Sequence, residues 1–199
     1  MLEPGSIVTI PDVSWQEFGA ILQEMGEKRS RRIAYSNRTL EISIPSLEQA
    51  RLKEIISDLI KLLLRRSQKG FQPFGSTTFI KESLAGIEPD ACFYIENYQQ
   101  MIGRRRLEPT DPPPDLAIET DVTSKTTLDA YVAIAVPELW IYDGRTLRIY
   151  LLQNGEYAES ETSPTFSEPE ITQRITRTID RAWQIGTEPA IAEFEATLS

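Results

Sequence analysis

The chain has 199 residues, 40% hydrophobic, 26% charged and 9% aromatic, with 21 Lys and Arg against 30 Asp and Glu. Such average globular usage excludes collagen, coiled-coil and wholly disordered chains. With no histidine and a single cysteine, Cys92, the chain cannot form an intrachain disulfide, a Cys/His zinc centre or a catalytic triad that uses imidazole.

Hydrolytic chemistry must therefore rest on carboxylates, lysine, hydroxyls or an oxygen-bound metal. No stretch approaches the roughly 20 apolar residues of a membrane helix, and the N-terminus lacks the basic-then-apolar order of a signal peptide. A cytoplasmic, reduced protein without membrane association is the expectation. The charge is unevenly spread. Residues 1–27 hold five acids and no Lys or Arg, residues 28–106 hold fifteen Lys and Arg against eight acids, and residues 107–199 hold six against seventeen. The basic stretch clusters Lys28, Arg29, Arg31 and Arg32, then Arg65 and Arg66, then Arg104, Arg105 and Arg106. Such clusters can contact phosphates, although they are equally natural as a solvated surface.

In chain order, Ser14 is placed to cap a helix over 15–25, with Gly26 as its stop. Residues 31–35 and 40–44 alternate around Ser36-Asn37-Arg38, the pattern of a β-hairpin. Ser46-Leu47-Glu48-Gln49 resembles a capping box. Behind it Leu52, Ile55, Ile56, Leu59, Ile60 and Leu63 keep helical spacing to about residue 67. Short strands are predicted at 77–81 and 90–95. The run Glu108-Pro109-Thr110-Asp111-Pro112-Pro113-Pro114-Asp115 must be a loop, because consecutive prolines lack donors and fix φ. A strand over 116–122, a helix over 126–135 and a hairpin of 139–142 with 146–151 follow. A polar loop at 160–170, a helix over 171–183 and a short helix after Thr187 complete the chain. Interleaved strands and helices predict an α/β sandwich around a mixed sheet, in one domain with a core of about 14–158 and a helical extension of about 169–199.

Chemistry concentrates in two phrases, Glu88-Pro89-Asp90 and Leu116-Ala117-Ile118-Glu119-Thr120-Asp121. On a strand, Ala117, Glu119 and Asp121 share a face. If the strand begun at Asp90 is its neighbour, up to three carboxylates converge, and their repulsion raises at least one pKa. A hard divalent cation would relieve it, and metal-bound water can attack a phosphodiester. No G-x-x-x-x-G-K-[ST] or G-x-G-x-x-G run supports a nucleotide cofactor. Trp140 and Tyr142 read as core packing, and Cys92 as a small buried apolar residue.

A Pro-Asp ahead of one strand and an acid inside a later apolar strand resemble the PD-(D/E)XK nuclease superfamily. More closely, EPDACFYI, PPDLAIETDVTSKT and VPELWIYD resemble the family called putative restriction endonucleases, over about 86–157, with a weaker match at LEISIPS and the helix behind it. The resemblance implies an α/β restriction-endonuclease-like sandwich, a central mixed β-sheet flanked by helices, and commonly a homodimer. It implies Mg²⁺ or Mn²⁺ as cofactor and DNA as substrate. Asp90 matches the Asp of the first phrase and Glu119 the acid of the second, both as metal ligands. Asp121 stands where the superfamily lysine usually stands and becomes an additional ligand or a lysine partner. Lys125 is the one nearby base able to replace that lysine at the head of the next helix, since Thr127 occupies the position four residues before Tyr131. Glu48 aligns with the acid of the opening helix, with Gln49 in place of histidine, and Glu41 is its rival. Arg31, Arg32, Arg104, Arg105 and Arg106 are the candidate DNA contacts. The missing lysine spacing and the acidic C-terminal half favour an alternative, a catalytically silent nuclease fold that binds nucleic acid or a protein. With a net charge of −9, nonspecific DNA affinity should be weak and strongly salt-dependent.

Overall fold

A computed structural model describes residues 3–26, 31–75, 77–121 and 124–198; Lys28, Arg29 and Val122, named above, lie outside them. The N-terminal part runs through β1 (Ile7–Ile10), α1 (Trp15–Met25), β2 (Arg32–Ser36), β3 (Thr39–Ser43) and α2 (Leu47–Arg66). Four short strands follow, β4 (Gln72–Phe74), β5 (Phe79–Lys81), β6 (Ala85–Ile87) and β7 (Ala91–Tyr94). Then come β8 (Leu116–Glu119), α3 (Lys125–Ile134), β9 (Glu138–Tyr142), β10 (Leu147–Gln153), β11 (Glu156–Ser160), α4 (Ile171–Ile185) and α5 (Thr187–Ala196).

Local chemistry sets the boundaries. The Ser14 side chain accepts from the Glu17 amide while Glu17 reaches back to the Ser14 N–H, so the box that opens α1 is complete. Ser46 and Gln49 repeat it at α2. Each box satisfies donors that a helix start leaves open. Asn37 and Arg38 turn β2 into β3 with φ of 46° and 61°, the primed-turn conformation whose twist suits a two-residue hairpin. Ser124 caps α3 through the Thr127 amide at 3.1 Å, which starts that helix one residue earlier than the sequence suggests.

Two sheets result. The mixed sheet has the order β11-β10-β9-β8-β7-β4, with β8 and β9 parallel and α3 as their crossover. A second, antiparallel sheet has the order β1-β3-β2-β6-β5. The hairpin of β2 and β3 therefore belongs to the second sheet and not to the mixed one. Strands β1, β4, β6 and β11 were not anticipated, and β8 stops at Glu119 rather than running on to 122. It stops because Thr120 leaves the ladder: its N–H and hydroxyl both donate to Asp90 Oδ2, at 2.8 and 2.6 Å.

The layers follow from period-2 alternation. Ala91, Phe93, Leu116, Ile118, Trp140 and Tyr142 face one way, onto the apolar faces of α2, α4 and α5. Cys92, Tyr94, Ala117, Leu139 and Ile141 face the other way, into a core shared with α3 and with Ala34, Ala85 and Ile87 of the second sheet. Beyond that sheet Ile33, Tyr35 and Leu40 pack on Phe18 of α1. The Phe18 ring stacks 4.4 Å from that of Tyr35, over Gly86, where a Cβ would come within 2.6 Å of the ring. Helix α3 is thus wedged between two sheets, with its N-terminus at one open end of the inner layer. No helix among the described residues is long and apolar enough to cross a membrane.

Candidate active site between the two sheets

The register of β7 on β8 pairs Ala91 with Ile118; one step further it sets Asp90 opposite Glu119, on the inner face of the mixed sheet. Both line a cavity of about 80 Å³ together with Glu41, Glu88, Asp121, Gln49, Arg32, Ser124 and Thr127. That volume admits a hydrated ion or several waters.

Each acid is fixed by a different element. Asp90 is 6% exposed; Thr120 saturates its Oδ2, and Arg32 Nε stands 2.8 Å from its Oδ1. Arg32 also donates from Nη1 to the Pro89 carbonyl at 2.9 Å, so one guanidinium braces both residues of the Pro-Asp phrase. Glu119 accepts the Tyr131 hydroxyl proton on Oε1 at 2.5 Å. Burial and the neighbouring Asp90 charge hold the Glu119 pKa well above the ordinary carboxyl range, against the opposing pull of Tyr131 and Arg32. Burial and the Glu119 charge likewise raise the Tyr131 phenol well above its usual value.

Asp121 lies beyond the end of β8, so strand alternation does not aim it. It reaches the same cavity because Gln49 Nε2 donates to its Oδ2 at 2.5 Å, while Gln49 Oε1 accepts from the Ser46 N–H at 2.6 Å. Glu41 points inward from β3, opposite Ala34 in register. It accepts from the Ser124 hydroxyl at 2.5 Å, and the Thr127 hydroxyl lies 3.5 Å away. Ser124 thus caps α3 and holds Glu41 with one oxygen. Glu88, 7% exposed, accepts from the Thr78 hydroxyl at 2.5 Å.

The structure brings Asp90, Glu119, Asp121 and Arg32 to one cavity and leaves other sequence candidates outside its lining. Glu48 is exposed in the first turn of α2, where an acid favours the helix dipole, while its rival Glu41 is 9% exposed and inside. Lys125 is exposed at the first position of α3, and its side chain contributes nothing to the lining. Arg31, Arg104, Arg105 and Arg106 are exposed, and Arg104 is paired with Asp111 at 2.8 Å. Sequence reasoning gave no site role to Thr120, Tyr131, Gln49 or Ser124, and it took Arg32 for a DNA contact. Ser36 and Ala34 share the inward face of β2 with Arg32, and the alternation in Arg32-Ile33-Ala34-Tyr35-Ser36 is the signal that could have located it.

Among the described residues no group of three acids is close enough to hold a metal alone. The facing pair Asp90 and Glu119 nonetheless suits a hard divalent cation, because Mg²⁺ is commonly held by one or two carboxylates and several waters.

A structure from Anabaena variabilis ATCC 29413, described as a putative nuclease belonging to DUF820, is similar with a TM-score of 0.58 at 14% identity, covering 83% of this chain and 98% of that one. This likeness concerns the fold. No curated protein matches the chain. The Uma2 family, described as putative restriction endonuclease, matches residues 15–182, and the chain belongs to that family.

Proposed function

We propose that the chain is a Mg²⁺- or Mn²⁺-dependent endonuclease that hydrolyses DNA phosphodiesters as a homodimer. The observation that carries the reading is the register that, continued one step beyond Ala91 and Ile118, brings Asp90 and Glu119 to one small cavity lined also by Glu41, Glu88 and Asp121. A divalent cation held by these two residues would supply a water of lowered pKa and stabilise charge on the phosphate.

The protein's own contribution is positioning. Thr120 fixes the Asp90 carboxylate with two hydrogen bonds, leaving Oδ1 toward Arg32. Tyr131 orients Glu119 through Oε1. Gln49 and Ser124 hold Asp121 and Glu41 at the cavity wall. Arg32 supplies the cationic group among these acids, and its planar fork suits a phosphate better than a lysine point charge would. DNA and the dimer are implied by the family resemblance; Arg31, Arg105 and Arg106 are exposed and are the proposed phosphate contacts outside the cavity.

Calorimetric titration of wild type and Asp90→Ala with Mn²⁺ tests the reading, with plasmid nicking in Mg²⁺ and Mn²⁺ alongside. Saturable heat in wild type, its loss in Asp90→Ala, and parallel loss of nicking are expected. Absence of metal heat in both proteins overturns it. Metal binding without nicking would instead favour a silent nuclease fold that binds nucleic acid or protein, a reading supported by the position of Lys125 outside the cavity.

A further inference from the structure

We propose that Arg32 is a built-in competitor of the divalent cation: its guanidinium occupies Asp90 Oδ1 until a cation displaces it. The inference rests on the metal-site reading above and concerns how that site is loaded. Asp90 Oδ2 already accepts two hydrogen bonds from Thr120. The oxygen left for a metal is therefore Oδ1, the atom from which Arg32 Nε stands 2.8 Å. Two positive centres on one carboxylate oxygen repel each other, so the cation binds at the expense of this ion pair.

The pair is well shielded, with 16% and 9% of the two side chains exposed, so the competition is not screened away as at a surface. Arg32 is the one Lys or Arg that lines the cavity among the described residues. Its backbone is paired with Ser43 of β3, and from Ala34 onward β2 is also paired with β6. Displacement thus requires a swing of the side chain and leaves the strand in place. The bond from Nη1 to the Pro89 carbonyl gives the guanidinium a second hold in the metal-free state. Without a cation the arrangement neutralises Asp90 internally and keeps the fold intact; with one, the released guanidinium remains beside the cavity.

The test compares Mn²⁺ affinity by calorimetry and thermal stability with and without Mn²⁺ in wild type, Arg32→Gln, Arg32→Lys and Arg31→Gln. A guanidinium at ion-pair distance from the oxygen a cation must use repels that cation by on the order of 1–4 kcal/mol near a protein surface. Removing the competitor should accordingly tighten Mn²⁺ binding about tenfold in Arg32→Gln. Arg32→Lys, which cannot span Asp90 and Pro89 together, should tighten it by about threefold on the same scale. Metal-free Arg32→Gln should melt lower than wild type and regain more on adding Mn²⁺. Arg31→Gln removes the same charge from an exposed neighbouring position and should leave Mn²⁺ affinity within about twofold of wild type. Unchanged affinity in the Arg32 variants, or equal gains at 31 and 32, overturns the proposal while the metal site stands. Absence of Mn²⁺ binding in every protein overturns both. Should Arg32→Gln fail to fold, Arg32→Lys decides by the same criterion.

Discussion

The two faces of the mixed sheet use the same strands to opposite ends. On the outer face the row Ala91, Ile118, Trp140 meets α2, α4 and α5 in a mostly apolar layer, where the one buried acid of that face of β9, Glu138, is neutralised locally by donors from Trp140, Ser163 and Thr165. One residue along, on the inner face, Glu119 lies beside Ile141 and opposite Asp90. Acids are tolerated there because the row falls where β8 ends and the chain turns into α3. A cavity opens at that point, and Thr120, Tyr131 and Arg32 supply donors. In α/β sheets the carboxyl ends of parallel strands are where such crevices form. The outer face provides stability and the inner one spends some of it on a polar site.

The largest effect should come from the outer face. Ile118 is fully buried, so Ile118→Ala loses both transfer energy and packing and should cost about 2–5 kcal/mol in denaturant unfolding. Its pH dependence should match wild type, because the substitution neither adds nor removes a titrating group. A loss well below this range would mean that the outer helices can collapse onto the gap.

The inner face should respond to pH instead. The Glu119 pKa is raised above the ordinary carboxyl value of 4.5, so in the window above 4.5 the folded state holds a proton that the unfolded chain has released. Stability therefore falls as pH rises through that window, by at most about 1.4 kcal/mol per pH unit, and is unaffected by this group below it. Glu119→Gln keeps an acceptor for Tyr131 and removes the titration. Its stability should stay flatter with pH and exceed that of wild type at the upper end of the window. Parallel pH curves for the two proteins, measured by chemical denaturation, would show that Glu119 is not under electrostatic stress.

Much of this contrast was legible in the sequence. The helical spacing from Leu52 to Leu63 announced α2, and the acids at 90 and 119 were visible as interruptions of apolar strands. Strands β4 and β6 were not, because each has three residues and they carry Pro73 and Gly86, which weaken any strand pattern. Strand β11 presents Glu156, Ala158 and Glu159 to solvent and has no apolar run to notice. Glu41 lines the cavity and Glu48 does not; that difference turns on which face of a hairpin looks inward, which only the packing of the second sheet determines. Arg32 illustrates the same limit: its partner Asp90 is 58 residues away on another sheet, and no local pattern joins them.

The smallest effect separates two copies of one motif. The capping box of α1, Ser14 with Glu17, is exposed, and Glu17→Gln keeps both box contacts, so stability should barely move. The box of α2 is built from Ser46 and Gln49, and the Gln49 amide is also the donor to Asp121. Glutamate is an ordinary residue at that box position, so by local rules Gln49→Glu should be harmless. In this fold it sets a second carboxylate against Asp121 where a donor now stands 2.5 Å away. Gln49→Glu should therefore lose about 1 kcal/mol at neutral pH, roughly one pKa unit of like-charge repulsion. The loss should fade as pH falls through the carboxyl range, because protonation restores a donor between the two groups. An equally silent outcome for Glu17→Gln and Gln49→Glu would place the second box outside the site.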